Sequence, residues 1–401
     1  MNRRVFIFSY RNYQGNVGGS AGVCYRLLKA NYEYKSFDNL IGIFKNKTIS
    51  HESDLDISDV RAENSNSLRK WLSQIGLLNL VFHRVKLGRA QKWMSLANTT
   101  YGFNSEDAFI FHDVESAYAF NKLYKLPNKY LVYHQQGTLY NEWAGMKKSH
   151  SFIYKTYLDS FQRKLFECMD RICFPSLGAK KAVEGMNFSD RYMDEAAILY
   201  NGFDKNNLQE TESAEVKELL GAIDGRTVFT SISNINYEKG VDRIPDFLGD
   251  LSKRGKDFLW IIVGDGAYSG ELSKKIDSNN LSDKVFWIKD KLRHDDVCKI
   301  LSISHFYIMF HRTSIFDFAT LEAMAYGAVP ILTRVGGNEE MIVDGESGLF
   351  IDEISSSSKV TDLLDGNGYD QIKTNCMLRQ SNLYSEERFL GRYVELINGR
   401  L

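Results

Sequence analysis

Residues Phe318–Gly348, FATLEAMAYGAVPILTRVGGNEEMIVDGESG, decide the fold. Ala319–Tyr326 is built of good helix formers, and Gly327 stands where a glycine just past the last turn ends a helix. Val329–Thr333 is short, apolar and bounded by turn residues, as a buried parallel strand is. Pro330 cannot donate to a ladder, so it is expected at the start of that strand. A loop with the pair Gly336-Gly337 follows. Glu322 lies one turn into the helix, just past an N-terminus whose first N–H groups lack intrahelical partners. The stretch therefore offers one ligand a carboxylate and several backbone donors, and a phosphate suits the donors.

Outward from this stretch, strand-like runs alternate with helical ones. The second half shows Val228–Ile232, Leu259–Val263, Val285–Ile288, Phe306–Phe310, Val329–Leu332 and Leu349–Ile351. The first half shows Val5–Ser9, a glycine-bearing loop over Asn12–Gly19, a helix from about Ser20 to Ala30, then Ala108–Phe111, Tyr130–Tyr133, Ile172–Phe174 and Ala197–Tyr200. This is βα repetition, an α/β class with parallel sheets covered on both faces, built twice. Residues 1–205 are expected to form one domain and 206–383 the second, with a last helix near 384–401 packing back on the first. Asp204–Asp224 is polar and charged and reads as the connection between them. Ligands of such sheets sit beyond the carboxyl ends of the strands. Gly18-Gly19, His112-Asp113, His134 and Gly264-Asp265-Gly266 all fall there. Two sheets facing one another this way make a cleft, one domain for each half of a bimolecular reaction.

Composition narrows the class. The chain has 401 residues, too many for one ordinary core. It is 43% hydrophobic and 25% charged with net charge −1, which fits a globular enzyme and gives no reason to expect a nucleic-acid partner. Five scattered cysteines without CxxC spacing fit a reducing compartment. The opening MNRRVFIFSYRNYQG has an apolar run too short for a signal peptide, and no segment approaches about 20 uninterrupted apolar residues. The expected location is cytoplasmic.

With these residues in view, Phe318–Gly348 resembles the donor-binding signature of retaining glycosyltransferases of family 4 (glycosyl transferases group 1), whose fold is GT-B, two facing Rossmann-like domains with a central cleft. The family pattern is E-x7-E, an A-M-A-x-G-x-P run, then G-G-x-x-E-x-x-x-x-G-x-x-G. Glu322, Ala323-Met324-Ala325, Gly327, Gly336-Gly337, Glu340, Gly345 and Gly348 follow it in register. Asn201-Gly202-Phe203-Asp204 resembles the family's N-G-V-D, Lys239-Gly240 its K-G loop, and Val263-Gly264-Asp265-Gly266 its V-G-D-G. The order and spacing of these elements carry the resemblance.

The resemblance implies roles. Glu322, which in isolation reads as an exposed helix carboxylate, would accept hydrogen bonds from the ribose hydroxyls of a nucleotide. The backbone of Ala319, Thr320 and Leu321 would hold the diphosphate, and Lys239 would offset its charge. Gly18 and Gly19 would let backbone approach a phosphate. His134 would contact the transferred hexose, and His112 with Asp113 would lie on the acceptor side or serve only to position neighbours. Gly264, Asn234 and Ser314 complete the donor-side set. Two departures stand out: Ser314 occupies the place of the first Glu, and Asn234 that of an Arg which normally clamps the diphosphate. Arg312 and Asp317 are the nearby charges available to compensate.

One feature is independent of the resemblance. Asn64–Ser105 contains no acidic residue, while Arg69, Lys70, Arg84, Lys86, Arg89 and Lys92 are interleaved with Trp71, Leu80, Val81, Phe82, Leu87 and Trp93. That pattern suits a helix lying on an anionic membrane surface, or a core-packed helix with a basic outer face.

The expected function is a hexosyltransferase. It moves a hexose from a nucleotide-diphosphate sugar, UDP favoured over GDP, to a glycan or lipid-linked glycan acceptor, with retention and without a metal or cofactor. The lysine-, asparagine- and phenylalanine-rich composition points to an AT-rich bacterial gene of a surface-polysaccharide cluster, and the basic, apolar stretch to peripheral attachment at the inner membrane face. Alternatives are a GT-B pseudoenzyme serving as partner subunit of another glycosyltransferase, a nucleotide-sugar epimerase and, weakest, a dehydrogenase.

Overall fold

The computed structural model describes residues 3–13, 19–55, 76–147, 151–184, 190–205, 213–353 and 356–401. The chain divides into two compact units, Met1–Asn201 with Glu386–Leu401, and Gly202–Ser385.

In the first unit the strands are β1 (Arg4–Ser9), β2 (Asn39–Phe44), β3 (Thr48–Ile49), β4 (Ala108–Phe111), β5 (Lys129–Val132), β6 (Arg171–Phe174) and β7 (Ala197–Ile198). They form one sheet in the order β3-β2-β1-β4-β5-β6-β7, parallel except for the β2–β3 pair. Alternation along β1 and β4 puts phenylalanines on one face in register, Phe6 opposite Phe109 and Phe8 opposite Phe111. Phe120, from the helix Val114–Leu123, packs on that face with its ring 4.3 Å from Phe109. Burying such rings supplies much of the core's stability. The terminal helix Glu386–Ile397 belongs to this unit, burying Phe389, Leu390 and Tyr393.

The second unit is a sheet of β8 (Thr227–Ile232), β9 (Phe258–Val263), β10 (Val285–Ile288), β11 (Phe306–Met309), β12 (Val329–Leu332) and β13 (Leu349–Phe350), ordered β10-β9-β8-β11-β12-β13. Each unit thus runs third-second-first-fourth-fifth-sixth, with a seventh strand added at the end of the first, the doubly wound order of Rossmann folds. The order reverses between β1 and β4 in one unit and between β8 and β11 in the other. Those crevices are where doubly wound sheets bind ligands.

Three local expectations change. Strands β2 and β3 are additions; Gly42 in the middle of β2 hides its apolar alternation. The connection read over Asp204–Asp224 is half core: Ser213 caps a helix, Ala214–Ile223, whose Val216 and Leu219 join Val228, Leu259 and Ile261 in one cluster. Two apolar residues three apart suffice because one helix face is all the sheet needs. Pro330 is the second residue of β12, not the first, and is flanked by β11 and β13. It is tolerated because β13 pairs only with Ile331 and Leu332, beyond the proline. Among the described residues no helix is long and apolar enough to cross a membrane.

Candidate functional site

In the second unit the loops after β8, β11 and β12 close on one another backbone to backbone. Gly240 has φ +63°, and a Cβ there would lie 1.9 Å from the Phe310 carbonyl oxygen. Gly336 has φ +51°, and its Cβ would lie 2.1 Å from the Ser314 oxygen. Neither position admits another residue without moving a loop. Gly337 N–H donates to the same Ser314 carbonyl at 3.0 Å. Gly264, at the end of β9, accepts from the Trp287 indole at 2.8 Å. Asn234 is exposed on the loop after β8.

The helix Phe318–Tyr326 starts inside this set of loops. Its N-cap is Asp317, whose carboxylate accepts from the Thr320 N–H at 3.1 Å and the Thr320 hydroxyl at 3.0 Å. Lys239 Nζ reaches the other oxygen of Asp317 at 2.7 Å. Burial works against this carboxylate's charge, but Lys239, joined in acid by protonated His311, overcomes it and holds the carboxyl well below the usual carboxylate range. His311 is itself buried and neutral, lowered to about 4 by burial. The helix N-terminus and Lys239, read from sequence as open to a phosphate, are thus already bridged by an acid. An incoming diphosphate would share Lys239 with Asp317. Ala319, Thr320 and Leu321 form the first turn around that cap.

Glu322 is 6% exposed, so it is not a solvated surface carboxylate. His294, on the helix His294–Ile303, points Nε2 at Glu322 Oε1 across 3.1 Å. Burial opposes a charge on His294, yet Cys298 and Glu322 outweigh it and raise the imidazole to about 9. The imidazolium therefore donates to Glu322 at neutral pH. Buried Tyr307 lies within the field of both Asp317 and Glu322 and donates to Asp317 at 3.3 Å. Lys239, Thr320 and Glu322 are in this way linked through Asp317, which the sequence offered only as a nearby charge, and through Tyr307 and His294, which sequence reasoning passed over. Asp317 left a signal, an Asp three residues before Thr320 at a helix start. His294 left none.

The departures keep their places. Ser314 contributes its backbone carbonyl to the loop packing. Arg312 does not stand in for the missing arginine: both its amino groups bind Asp242, at 2.8 and 2.7 Å, and its guanidinium stacks 4.1 Å over Tyr237. It braces the loop that carries Lys239 instead.

In the first unit His112 and His134 meet, Nδ1 to Nε2 at 2.9 Å. Burial keeps both neutral; His134 is lowered to about 4, and His112 well below its ordinary value. Asp113 is spoken for, capping the helix Val114–Leu123 through the Ser116 N–H at 2.8 Å and accepting the Tyr10 N–H at 2.5 Å. With burial and the neighbouring Glu115 charge raising its pKa to about 6, it serves as a structural cap. Gly19 opens the helix Gly19–Tyr34; Gly18 lies outside the described residues.

Of the basic set, Arg69, Lys70 and Trp71 also lie outside the described residues. Arg84, Lys86, Arg89 and Lys92 are on the helix Gly76–Tyr101. Its Leu87, Ala90, Met94 and Ala97 face the core at helical spacing, and Trp93 donates to the Phe44 carbonyl at 3.1 Å. Lys86 pairs with buried Glu115. Leu87 and Trp93 of the apolar set thus pack inward, which is the core-packed arrangement. The outer side still carries exposed Val81 and Val85, and an apolar groove of about 910 Å³ runs between Arg84, Tyr118, Phe152 and Lys164.

Residues 213–371 match the family model of glycosyl transferases group 1. Among curated proteins, 142 residues are 28% identical to the alpha-D-kanosaminyltransferase of Streptomyces kanamyceticus, covering 35% of this chain and 36% of that enzyme. A stretch of 212 residues is 23% identical to the lipopolysaccharide core biosynthesis mannosyltransferase LpsB of Rhizobium meliloti, covering 47% of this chain and 60% of that protein. These matches span less than two thirds of either relative. The solved structure of Anabaena Alr3699/HepE in complex with UDP superposes with a TM-score of 0.64 at 17% identity, over 99% of this chain and 100% of that one. The fold of each unit is therefore the Rossmann-like one found in GT-B glycosyltransferases, and the second unit is the part with a family signature in its sequence.

Proposed function

We propose that this chain is a retaining hexosyltransferase that takes a nucleotide-diphosphate sugar, UDP-linked in preference to GDP-linked, as donor. One observation carries the reading. The switch-point crevice of the second unit gathers a buried carboxylate, a lysine and a helix N-terminus within the segment that matches the family model. Glu322, oriented by His294, accepts hydrogen bonds from the ribose hydroxyls. Lys239 and the N-terminus of the Phe318–Tyr326 helix offset charge as the diphosphate leaves. The bond from the anomeric carbon to the diphosphate breaks, a bond to the acceptor oxygen forms on the same face, and the departing phosphate takes the acceptor's proton. No step requires a metal.

The acceptor is a glycan, lipid-linked and presented at an anionic membrane surface, in bacterial surface-polysaccharide synthesis. The basic helix Gly76–Tyr101 and its exposed Val81 and Val85 support that setting, and the similarity to a lipopolysaccharide mannosyltransferase agrees with it. Peripheral attachment at the inner face is the corresponding location. Ser314 and Asn234 favour the second reading, a pseudoenzyme that partners another glycosyltransferase.

Incubation with UDP- and GDP-sugars, with and without glycan acceptors, separates the two. Transfer that collapses in Glu322→Ala and Lys239→Ala, with the product's anomeric configuration retained by NMR, supports the enzyme. Transfer indifferent to both substitutions sinks the residue assignments, and no turnover with any donor leaves the partner-subunit reading. Sedimentation with phosphatidylglycerol vesicles but not with phosphatidylcholine vesicles tests the membrane setting.

A further inference from the structure

The crevice of the second unit already holds an anion of its own. The Asp317 carboxylate takes the donors that a bound phosphate would use. Lys239 Nζ lies at 2.7 Å, the Thr320 N–H of the helix N-terminus at 3.1 Å, and the hydroxyls of Thr320 and Tyr307 at 3.0 and 3.3 Å. The Asp317 side chain is 9% exposed and that of Lys239 32%, so the carboxylate is largely enclosed while the lysine stays open to a ligand. Capping alone does not call for a charge here, since Asn or Ser satisfies a helix N-terminus about as well as Asp. The negative charge of Asp317 is directed at Lys239.

The other cations of the loops after β8, β11 and β12 are committed elsewhere. Arg312 is bound by Asp242 through both its amino groups, Arg334 by Asp344 and Asp352, and Arg243 donates to the Phe310 carbonyl at 3.1 Å. His311 is neutral, His294 is matched by Glu322, and position 234 is an uncharged Asn. A phosphate chain that reaches Lys239 therefore also faces Asp317, and each further negative charge on the ligand gains little. The charge at stake is that of the outer phosphate of a nucleoside diphosphate, the one released from the sugar. Cleavage exposes an ionisable oxygen on it, with a second ionisation near pH ~6, so the product is more anionic than the donor. An acid beside Lys239 bears harder on that product than on the intact donor.

We propose that Asp317 is a specificity-determining residue: its charge limits what the site gains from the outer phosphate, leaving the nucleoside and the inner phosphate to carry most of the affinity. This rests on the nucleotide-sugar reading above. The test uses the full chain and calorimetry with UDP and UMP as probes. Asp317→Asn keeps a capping oxygen for the Thr320 N–H and removes the charge. It should tighten UDP by about tenfold and UMP by less than about threefold. Lys239→Gln, with Asp317 unopposed, should weaken UDP by about tenfold. The double variant restores a neutral pair and should return UDP to within about threefold of the wild type. Its comparison with Lys239→Gln also reads Asp317 if Asp317→Asn alone does not fold. The proposal is overturned if Asp317→Asn binds UDP no more tightly than the wild type, if UDP and UMP tighten equally, or if the double variant stays as weak as Lys239→Gln. UDP binding that is blind to Asp317 overturns this proposal alone; failure of the wild type and every variant to bind either nucleotide removes the nucleotide-sugar reading with it.

Discussion

The two switch-point crevices use the same topology in opposite ways. In the second unit the polar side chains come already paired: Lys239 with Asp317, Arg312 with Asp242, His294 with Glu322. Its loops touch backbone to backbone at Gly240 and Gly336. In the first unit the Arg11 and Glu142 side chains make no hydrogen bond with another described residue and meet only through their charges, beside a histidine pair that burial keeps neutral. A pre-paired, tightly closed site constrains residue types at fixed spacing and so leaves a sequence signature. The family model accordingly covers residues 213–371 and not the first unit.

The most severe way to break the contrast is to pry the second unit's loops apart. Gly336→Ala places a Cβ against the Ser314 carbonyl at a positive φ and should destabilise that unit by about 3 kcal/mol or more, read as a lowered urea midpoint. Next comes charge. Lys239→Ala leaves Asp317 buried with fewer partners and removes the cation beside the helix N-terminus; kcat/KM for transfer should fall by roughly 10²–10³. A loss below tenfold would mean that the lysine does not act on the leaving phosphate.

A smaller effect reads the His294–Glu322 pair by pH. The folded value is raised from 6.5 to about 9, so the pair's contribution is fully present below pH 6.5 and is lost as pH rises through 9. The loss should be roughly 2 kcal/mol and absent in His294→Asn, followed by thermal unfolding at a series of pH values. An unchanged pH slope in the variant would show that the imidazole carries no such linkage. The smallest effect belongs to the first unit. Gly88 sits on the exposed side of the helix Gly76–Tyr101 with open space where a Cβ would go, so Gly88→Ala should stabilise by about 0.5–1 kcal/mol. Destabilisation there would show that the helix face is closely covered.

Legibility followed the same divide. Apolar runs bounded by turn residues located β8 to β13 within a residue at each end, because buried parallel strands are short and continuous in apolar character. Strand β2 and the helix Ala214–Ile223 escaped for lack of that continuity: one is broken by Gly42, the other shows a single apolar stripe in a charged segment. At the second unit's crevice Glu322 and Lys239 stood out by their spacing. Their partners did not: His294 is 28 residues from Glu322 and Asp317 is 78 from Lys239. For the basic helix, composition left two arrangements open, and contacts of Leu87, Met94 and Trp93 chose the inward one for these residues.

By itself the sequence determined the α/β class, the doubling of the fold and the segment that carries the family signature. Those follow from local periodicity and from glycines whose backbone geometry admits no substitute. Tertiary structure alone decided which charges meet. The Lys239–Asp317 bridge, the His294–Glu322 pair and the opposed charges of Arg11 and Glu142 join elements distant along the chain. Burial then set the protonation of His112 and His134, and the neighbours Cys298 and Glu322 that of His294, because desolvation and neighbouring charge depend on distance in space and not along the chain.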